Sequence, residues 1–169
     1  MDNRYTVAVL VRNQFGVLNR VTSMFRRRQF NIDSLTVSET ESPELSRITV
    51  RFDGDANTKR QLIDQLYKLP DVKSIKELED ASCVSAELLL IKMENKPRTR
   101  DEILAAADAF RAVTVDYSKE SIVLQLTDSS RRIDDFILLM KDYNILEICR
   151  TGVVALERGE TTIRKAINI

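Results

Sequence analysis

Histidine and tryptophan are absent from this 169-residue chain, and glycine, proline and cysteine number only four, three and two. Without histidine the chain lacks the side chain most often used as a general base and as a metal ligand. The two cysteines, Cys83 and Cys149, lie far apart and form no C-x-x-C pair, so neither a zinc site nor a redox motif is supported. Cys149 falls in the apolar run 145–154 and is expected as a small core residue. Charge of either sign is not in excess: Lys plus Arg equal Asp plus Glu at 26 each. A dedicated nucleic-acid binder carries a basic surplus, so that class starts low. No run is long and apolar enough to span a membrane. Strand-like alternation begins almost at once, leaving no room for a signal peptide, and a cytoplasmic protein is expected. There is no Gly-rich phosphate loop either, so binding or regulation leads over catalysis.

What remains is 43% hydrophobic and 31% charged, a globular balance long enough for one ordinary domain or two small ones. Residues 5–11 alternate as a strand with Tyr5, Val7, Val9 and Val11 on one face. From Gly16 the period becomes helical: Val17, Val21, Met24 and Phe25 share one side, and Arg26-Arg27-Arg28 close the helix at its carbonyl end. Ile32–Glu39 and Leu45–Phe52 read as strands around the turn Thr40–Glu44. Asn57 or Thr58 is the expected cap of a helix carrying Leu62, Ile63, Leu66 and Tyr67, which Pro70 stops. Val72–Leu78 completes a β-α-β-β-α-β unit, the ferredoxin-like order. After a short polar linker the order repeats. It runs through a strand at Val84–Met93, a capping box at Thr99–Glu102, strands at Ala112–Tyr117 and Ile122–Thr127, a helix capped by Ser130, and a strand at Leu146–Leu156.

The fold class is therefore α+β: two tandem ferredoxin-like βαββαβ domains, residues 1–79 and 84–157, with 158–169 as a flexible tail. Each sheet carries its helices on one face, so pairing of chains is expected to cover what is left, at least as a homodimer.

The turn "NQFGVLNRV" joins the first strand to the first helix. A helix N-terminus presents unpaired N–H groups and partial positive charge, a ready seat for a carboxylate. Gly16 lets a ligand approach the backbone, Val17 and Leu18 supply the next N–H groups, and Asn13 offers a donor and an acceptor. Asn31 is a further amide able to reach such a pocket from a neighbouring subunit. An apolar amino acid matches this equipment, and so does an ordinary tight turn with no ligand.

The stretches "RRRQFNIDSLTV", "LSRITV", "LPDVKSI", "AELLLIKM" and "RTGVVALERG" occur in order over nearly the whole chain. Together they resemble the small, regulatory subunit family of acetohydroxyacid synthase (acetolactate synthase), whose first domain is an ACT domain. The resemblance implies a non-catalytic subunit that activates a separate large catalytic subunit. It also implies feedback inhibition by a branched-chain amino acid, valine foremost, in valine, leucine and isoleucine synthesis. Thiamine diphosphate, FAD and magnesium are expected on the large subunit and no cofactor on this chain. By position, the effector would meet Asn13, Gly16, Val17 and Leu18 of one ACT domain, with Asn31 and Ile32 supplied across a homodimer interface. A stand-alone ACT-type amino-acid sensor acting on another partner is the alternative. An acylphosphatase-like enzyme, suggested by Arg12 and Asn13, shares the strand order but not the two-domain length, and a nucleic-acid module of that order would bring an aromatic-rich RNA motif and a basic excess that this chain lacks. One departure stands out: the family turn commonly reads N-x-P-G, and Phe15 stands where proline often does.

Overall fold

The computed structural model describes residues 4–166. The chain divides into two units, Met1–Ser85 with Val153–Ile169, and Ala86–Gly152.

The first unit contains β1 (Arg4–Arg12), α1 (Val17–Arg27), β2 (Ile32–Glu39), β3 (Leu45–Asp53), α2 (Ala56–Tyr67) and β4 (Val72–Leu78). Its antiparallel sheet has the order β2-β3-β1-β4. Val7, Val9 and Val11 of β1 and Ile48, Val50 and Phe52 of β3 meet the apolar stripes of both helices, Val17, Val21, Met24 and Phe25 on α1 and Leu62 and Leu66 on α2. Phe52 is fully buried, and its loss to alanine would cost about 3–5 kcal/mol, as for other enclosed aromatic side chains. Asp55, not Asn57 or Thr58, caps α2: its carboxylate accepts the Thr58 N–H at 2.7 Å. Thr58 thus receives the cap instead of making it. Tyr67 is exposed, because the buried stripe ends one residue earlier at Leu66.

The alternation in β1 marks only half of what is buried. Ala8 and Leu10, on the face away from the helices, are as enclosed as Val7 and Val9. The cause is the end of the chain. Beyond Gly152, β9 (Val154–Glu157) and a 3-10 turn at Ile163–Ala166 return to the first unit. There Val153, Ala155 and Ile163 pack with Ala8, Leu78 and Cys83. Arg47 Nη2 donates to the Ala155 carbonyl at 2.7 Å, Lys76 pairs with Glu157 at 3.1 Å, and Ser74 Oγ donates to the Ile163 carbonyl at 2.8 Å. Within the stretch expected as a flexible tail, 158–169, the Arg158 N–H donates to the Ser82 carbonyl at 2.9 Å, the Ile163 carbonyl takes the Ser74 bond and Arg164 pairs with Glu41; residues 167–169 lie outside the described residues. The expected domain end at 157 also differs from the division by contacts, which leaves the second unit at Gly152.

β5 (Cys83–Glu94), which enters the second unit at Ala86, leads through α3 (Arg100–Phe110), β6 (Val113–Tyr117), β7 (Ser121–Asp128) and α4 (Ser130–Met140) to β8 (Ile145–Arg150). The sheet runs β6-β7-β5-β8, and Leu89, Ile91, Met93, Ile122, Leu124 and Leu126 pack with Ile103, Ala107, Ile133, Phe136 and Met140 of the helices. Both units thus have the expected βαββαβ order, and the α+β assignment holds. Four local expectations do not. The strand foreseen at 146–156 is two, β8 and β9, because Gly152 takes a left-handed φ of 79° between them. Thr99 makes no side-chain cap. Ser129 caps α4, while the Ser130 hydroxyl donates to Glu87 at 2.7 Å. Cys149 is exposed, since it pairs with Leu90 in register on the face without helices.

Glu87 is almost wholly enclosed and takes Arg150 on both carboxylate oxygens, at 2.6 and 3.0 Å. Arg150 Nη1 also reaches Asp134 at 2.7 Å. The hydrogen bonds it donates to Glu87, opposed by burial and aided by those to Asp134, hold the Arg150 guanidinium well above its ordinary pKa.

Candidate functional site

The end of β1 is fastened before the chain turns. Arg12 N–H donates to the Asp71 carbonyl at 2.9 Å, and Asn13 N–H to the Glu44 carbonyl at 2.8 Å. Gly16 then adopts a φ of 82°, the left-handed region that glycine enters without a Cβ clash. It stands as N-cap of α1 with no side-chain cap, and the first turn of α1 has no acidic residue. The partial positive charge of the helix end is thus uncompensated by its own sequence. Val17 N–H is committed to the Gln14 carbonyl at 3.2 Å, so it is not the open donor it was expected to be. Leu18 and Asn19 carry N–H groups with no main-chain partner among the described residues.

Arg20 joins the turn from outside the residues that the sequence singles out. One turn along α1, its side chain points back toward the helix start, as helical geometry requires. Nε and Nη2 grip Asp71 Oδ2 at 2.8 and 2.7 Å. Its Nη1 lies 3.4 Å from where a Cβ on Gly16 would sit. The signal was available as the spacing of four between Gly16 and Arg20. Its partner, beyond Pro70 in sequence, was not.

Asn13 spends both amide hydrogens on the β2–β3 turn, donating to Glu39 Oε1 at 3.0 Å and to the Pro43 carbonyl at 2.9 Å. Both partners are obligate acceptors, so the amide orientation follows from the network. Asn13 therefore offers a ligand its Oδ1, an acceptor, with the Glu39 carboxylate beside it. Phe15 is fully exposed at the tip of the turn. The turn thus carries N–H groups and a guanidinium that could meet an anion, and an amide oxygen and a carboxylate that could meet a cation.

Of the six residues singled out from sequence, Asn13, Gly16, Val17 and Leu18 share this turn. Asn31 and Ile32 do not. Ile32 pairs with Phe52, and Phe52 with Tyr5 near the start of β1, whereas Asn13 follows Arg12, the residue paired with Leu45. The length of β2 separates the two groups by roughly 23 Å at ~3.3 Å per residue. Within one chain they cannot form one pocket. Among the described residues no cluster of histidine, cysteine, aspartate or glutamate is arranged to hold a metal, and no helix is long and apolar enough to cross a membrane.

A β2-β3-β1-β4 sheet with both helices on one face and a glycine turn opening the first helix is the arrangement of an ACT domain. Residues 7–74 match the family described as the AHAS small subunit-like ACT domain. Residues 86–159 match that described as the small subunit of acetolactate synthase, and the chain belongs to the acetolactate synthase small-subunit family. It is 44% identical over 156 residues to the probable acetolactate synthase small subunit of Archaeoglobus fulgidus, covering 92% of this chain and 98% of that one. Against the acetolactate synthase small subunit of Bacillus subtilis the identity is 44% over 155 residues, 90% of each chain. The crystal structure of the acetolactate synthase small subunit from Thermotoga maritima superposes with a TM-score of 0.85 at 34% identity, covering 94% of this chain and 99% of that one.

Proposed function

We propose that this chain is the regulatory subunit of an acetolactate synthase, raising the activity of a large catalytic subunit and making it sensitive to a branched-chain amino acid, valine first. The observation that carries the effector reading is the pairing of opposite recognition at one turn. The effector's carboxylate would meet the Leu18 and Asn19 N–H groups beside Arg20. Its ammonium would meet Asn13 Oδ1 beside Glu39. A helix N-terminus contributes up to ~2 kcal/mol to such a carboxylate, and a micromolar-to-millimolar effector needs only about −4 to −8 kcal/mol in all. Chemistry with thiamine diphosphate, FAD and magnesium belongs, in this reading, to the large subunit.

The apolar side chain of the effector needs a wall that one chain does not provide. Edge strand β2 supplies it in a homodimer. Two β2 strands joined antiparallel about a two-fold axis near Leu35 and Thr36 set the Asn31–Ile32 end of one against the Glu39 end of the other. Asn31 and Ile32 of the second copy then face the turn of the first.

Reconstitution with the cognate large subunit tests the proposal, with acetolactate formation measured in the presence and absence of valine, leucine and isoleucine. The expected result is a faster rate with the chain present, reduced by at least one of the three. A rate indifferent to the chain would remove the subunit role. A raised rate that none of the three lowers would remove the effector.

A further inference from the structure

The β2–β3 turn, Thr40–Glu44, is held from two sides. On one side the Asn13 side chain donates to Glu39 Oε1 and to the Pro43 carbonyl, and its main-chain N–H to the Glu44 carbonyl. On the other, Arg164 pairs with Glu41 at 3.0 Å and bonds the Ser42 hydroxyl. Arg164 belongs to the returning C-terminal segment, 153–164, whose other anchors on the sheet are Arg47, Ser74 and Lys76. Between this segment and the turn lies a cleft of about 390 Å³, bordered by Leu10, Ser38, Glu41, Arg47 and Thr161. Close packing therefore does not lock the turn and the segment together; polar contacts on its two sides do.

We infer that this turn couples the effector site to the seating of the C-terminal segment, so that an amino acid bound beside Gly16 loosens residues 153–164 from the first sheet. The inference rests on the effector reading above. An ammonium on Asn13 Oδ1 sits beside Glu39 and competes with Asn13 Nδ2 for that carboxylate. The inner hold on the turn weakens, and the turn carries Glu41 and Ser42 with it into the cleft. The seated segment favours the arrangement in which Asn13 stays committed to the turn, so segment and effector oppose one another. Coupling of this kind is reciprocal: releasing the segment must tighten the effector.

Two measurements on the full-length chain test the coupling. Arg164→Gln removes the outer hold without touching the effector turn. Calorimetry with valine, leucine and isoleucine should show binding tightened by about 2- to 5-fold relative to the parent chain, the range open to one partly exposed charged contact. Equal or weaker binding in the variant, with binding retained in the parent, overturns the coupling and leaves the effector reading standing. Binding of none of the three by the parent overturns both. The second measurement needs no ligand. In Asn13→Ala, amide hydrogen exchange over residues 153–164 should quicken severalfold while the α2 amides stay unchanged. Unchanged exchange in 153–164 overturns the coupling whatever the fate of the effector, and general acceleration that includes α2 overturns it as a local link.

Discussion

Arg20 holds Asp71 through two nitrogens, at 2.8 and 2.7 Å, and so ties the first turn of α1 to the residue that precedes β4. The Asp71 carbonyl also accepts the Arg12 N–H, so one residue fixes both ends of the candidate site. Asp71 is nearly enclosed while Arg20 is about half exposed, which places the bond between a buried ion pair and a surface one. Asp71→Asn should lower stability by about 1–2 kcal/mol, a fall of a few degrees in the calorimetric melting temperature. It should also weaken effector binding by freeing Arg20. A melting curve identical to the parent's would show that the pair holds nothing.

Gly16→Asp should abolish the effector response. The new carboxylate would extend from a Cβ 3.4 Å from Arg20 Nη1 and next to the bare N–H groups, occupying the seat proposed for the effector's own carboxylate. The φ of 82° adds strain of about 1–2 kcal/mol, the penalty of the left-handed region for a residue with a Cβ. Inhibition assays on the reconstituted enzyme should show activation kept and inhibition lost. Full sensitivity in the variant would move the site elsewhere.

The dimer proposal has its own lever in β2. Thr40 N–H bonds the Leu45 carbonyl, and antiparallel alternation then turns the N–H groups of Ser38 and Thr36 toward β3 and that of Val37 toward the free edge. Val37→Pro therefore removes an outward donor and spares the ladder with β3. Light scattering should show a dimer in the parent and a shift toward monomer in the variant, with effector binding reduced at least tenfold. A parent that runs as a monomer, or a variant that stays dimeric, would exclude β2 as the seam.

In the second unit, Glu87→Gln takes the main counter-charge from Arg150, whose side chain is about a third exposed while Glu87 is enclosed. The loss should be about 2–4 kcal/mol, seen as a lower denaturant midpoint. Asp134→Asn is the control. Asp134 is more exposed than Glu87, and its contribution to Arg150 should be no more than ~1 kcal/mol. Equal effects of the two changes would mean that burial does not distinguish them.

Acid sensitivity should be traceable to the cap of α2. The Thr58 N–H, then the Thr58 hydroxyl, hold the Asp55 carboxyl below its ordinary pKa. A depressed folded value stabilises the fold above the unfolded value of about 3.9, and this stability is lost as pH falls through the folded value. The stability gap between the parent and Asp55→Ala, followed by circular dichroism, should therefore be full at neutral pH and shrink in acid. A gap that widens on acidification would contradict the cap.

Periodicity carried most of the fold because each strand and helix buries one face, and a face is what a period of 2 or 3.6 encodes. It could not show that Ala8 and Leu10 are covered as well, since their cover comes from residues more than a hundred positions away. The same distance hid the Arg47–Ala155 and Arg164–Glu41 contacts and made 158–166 read as a tail. Cys149 misled because an apolar neighbourhood in sequence says nothing about which side of a strand faces solvent. At the candidate site Gly16 and Asn13 were legible as turn chemistry. The commitment of Val17 N–H to Gln14 and the recruitment of Arg20 by Asp71 depend on three-dimensional closure that no local pattern records.

The return of the C-terminus also sets a schedule for making the protein. The first unit has its earlier piece complete at Ser85 but receives the rest only from Val153 onward. At ~5–20 residues per second, a ribosome takes roughly 3 to 14 seconds to cross that interval. During it, Ala8, Leu10 and Leu78 lie uncovered on a finished sheet. A nascent chain stalled before Val153 should thus present a sticky surface that the released protein has closed, and chaperone contact should concentrate in that window.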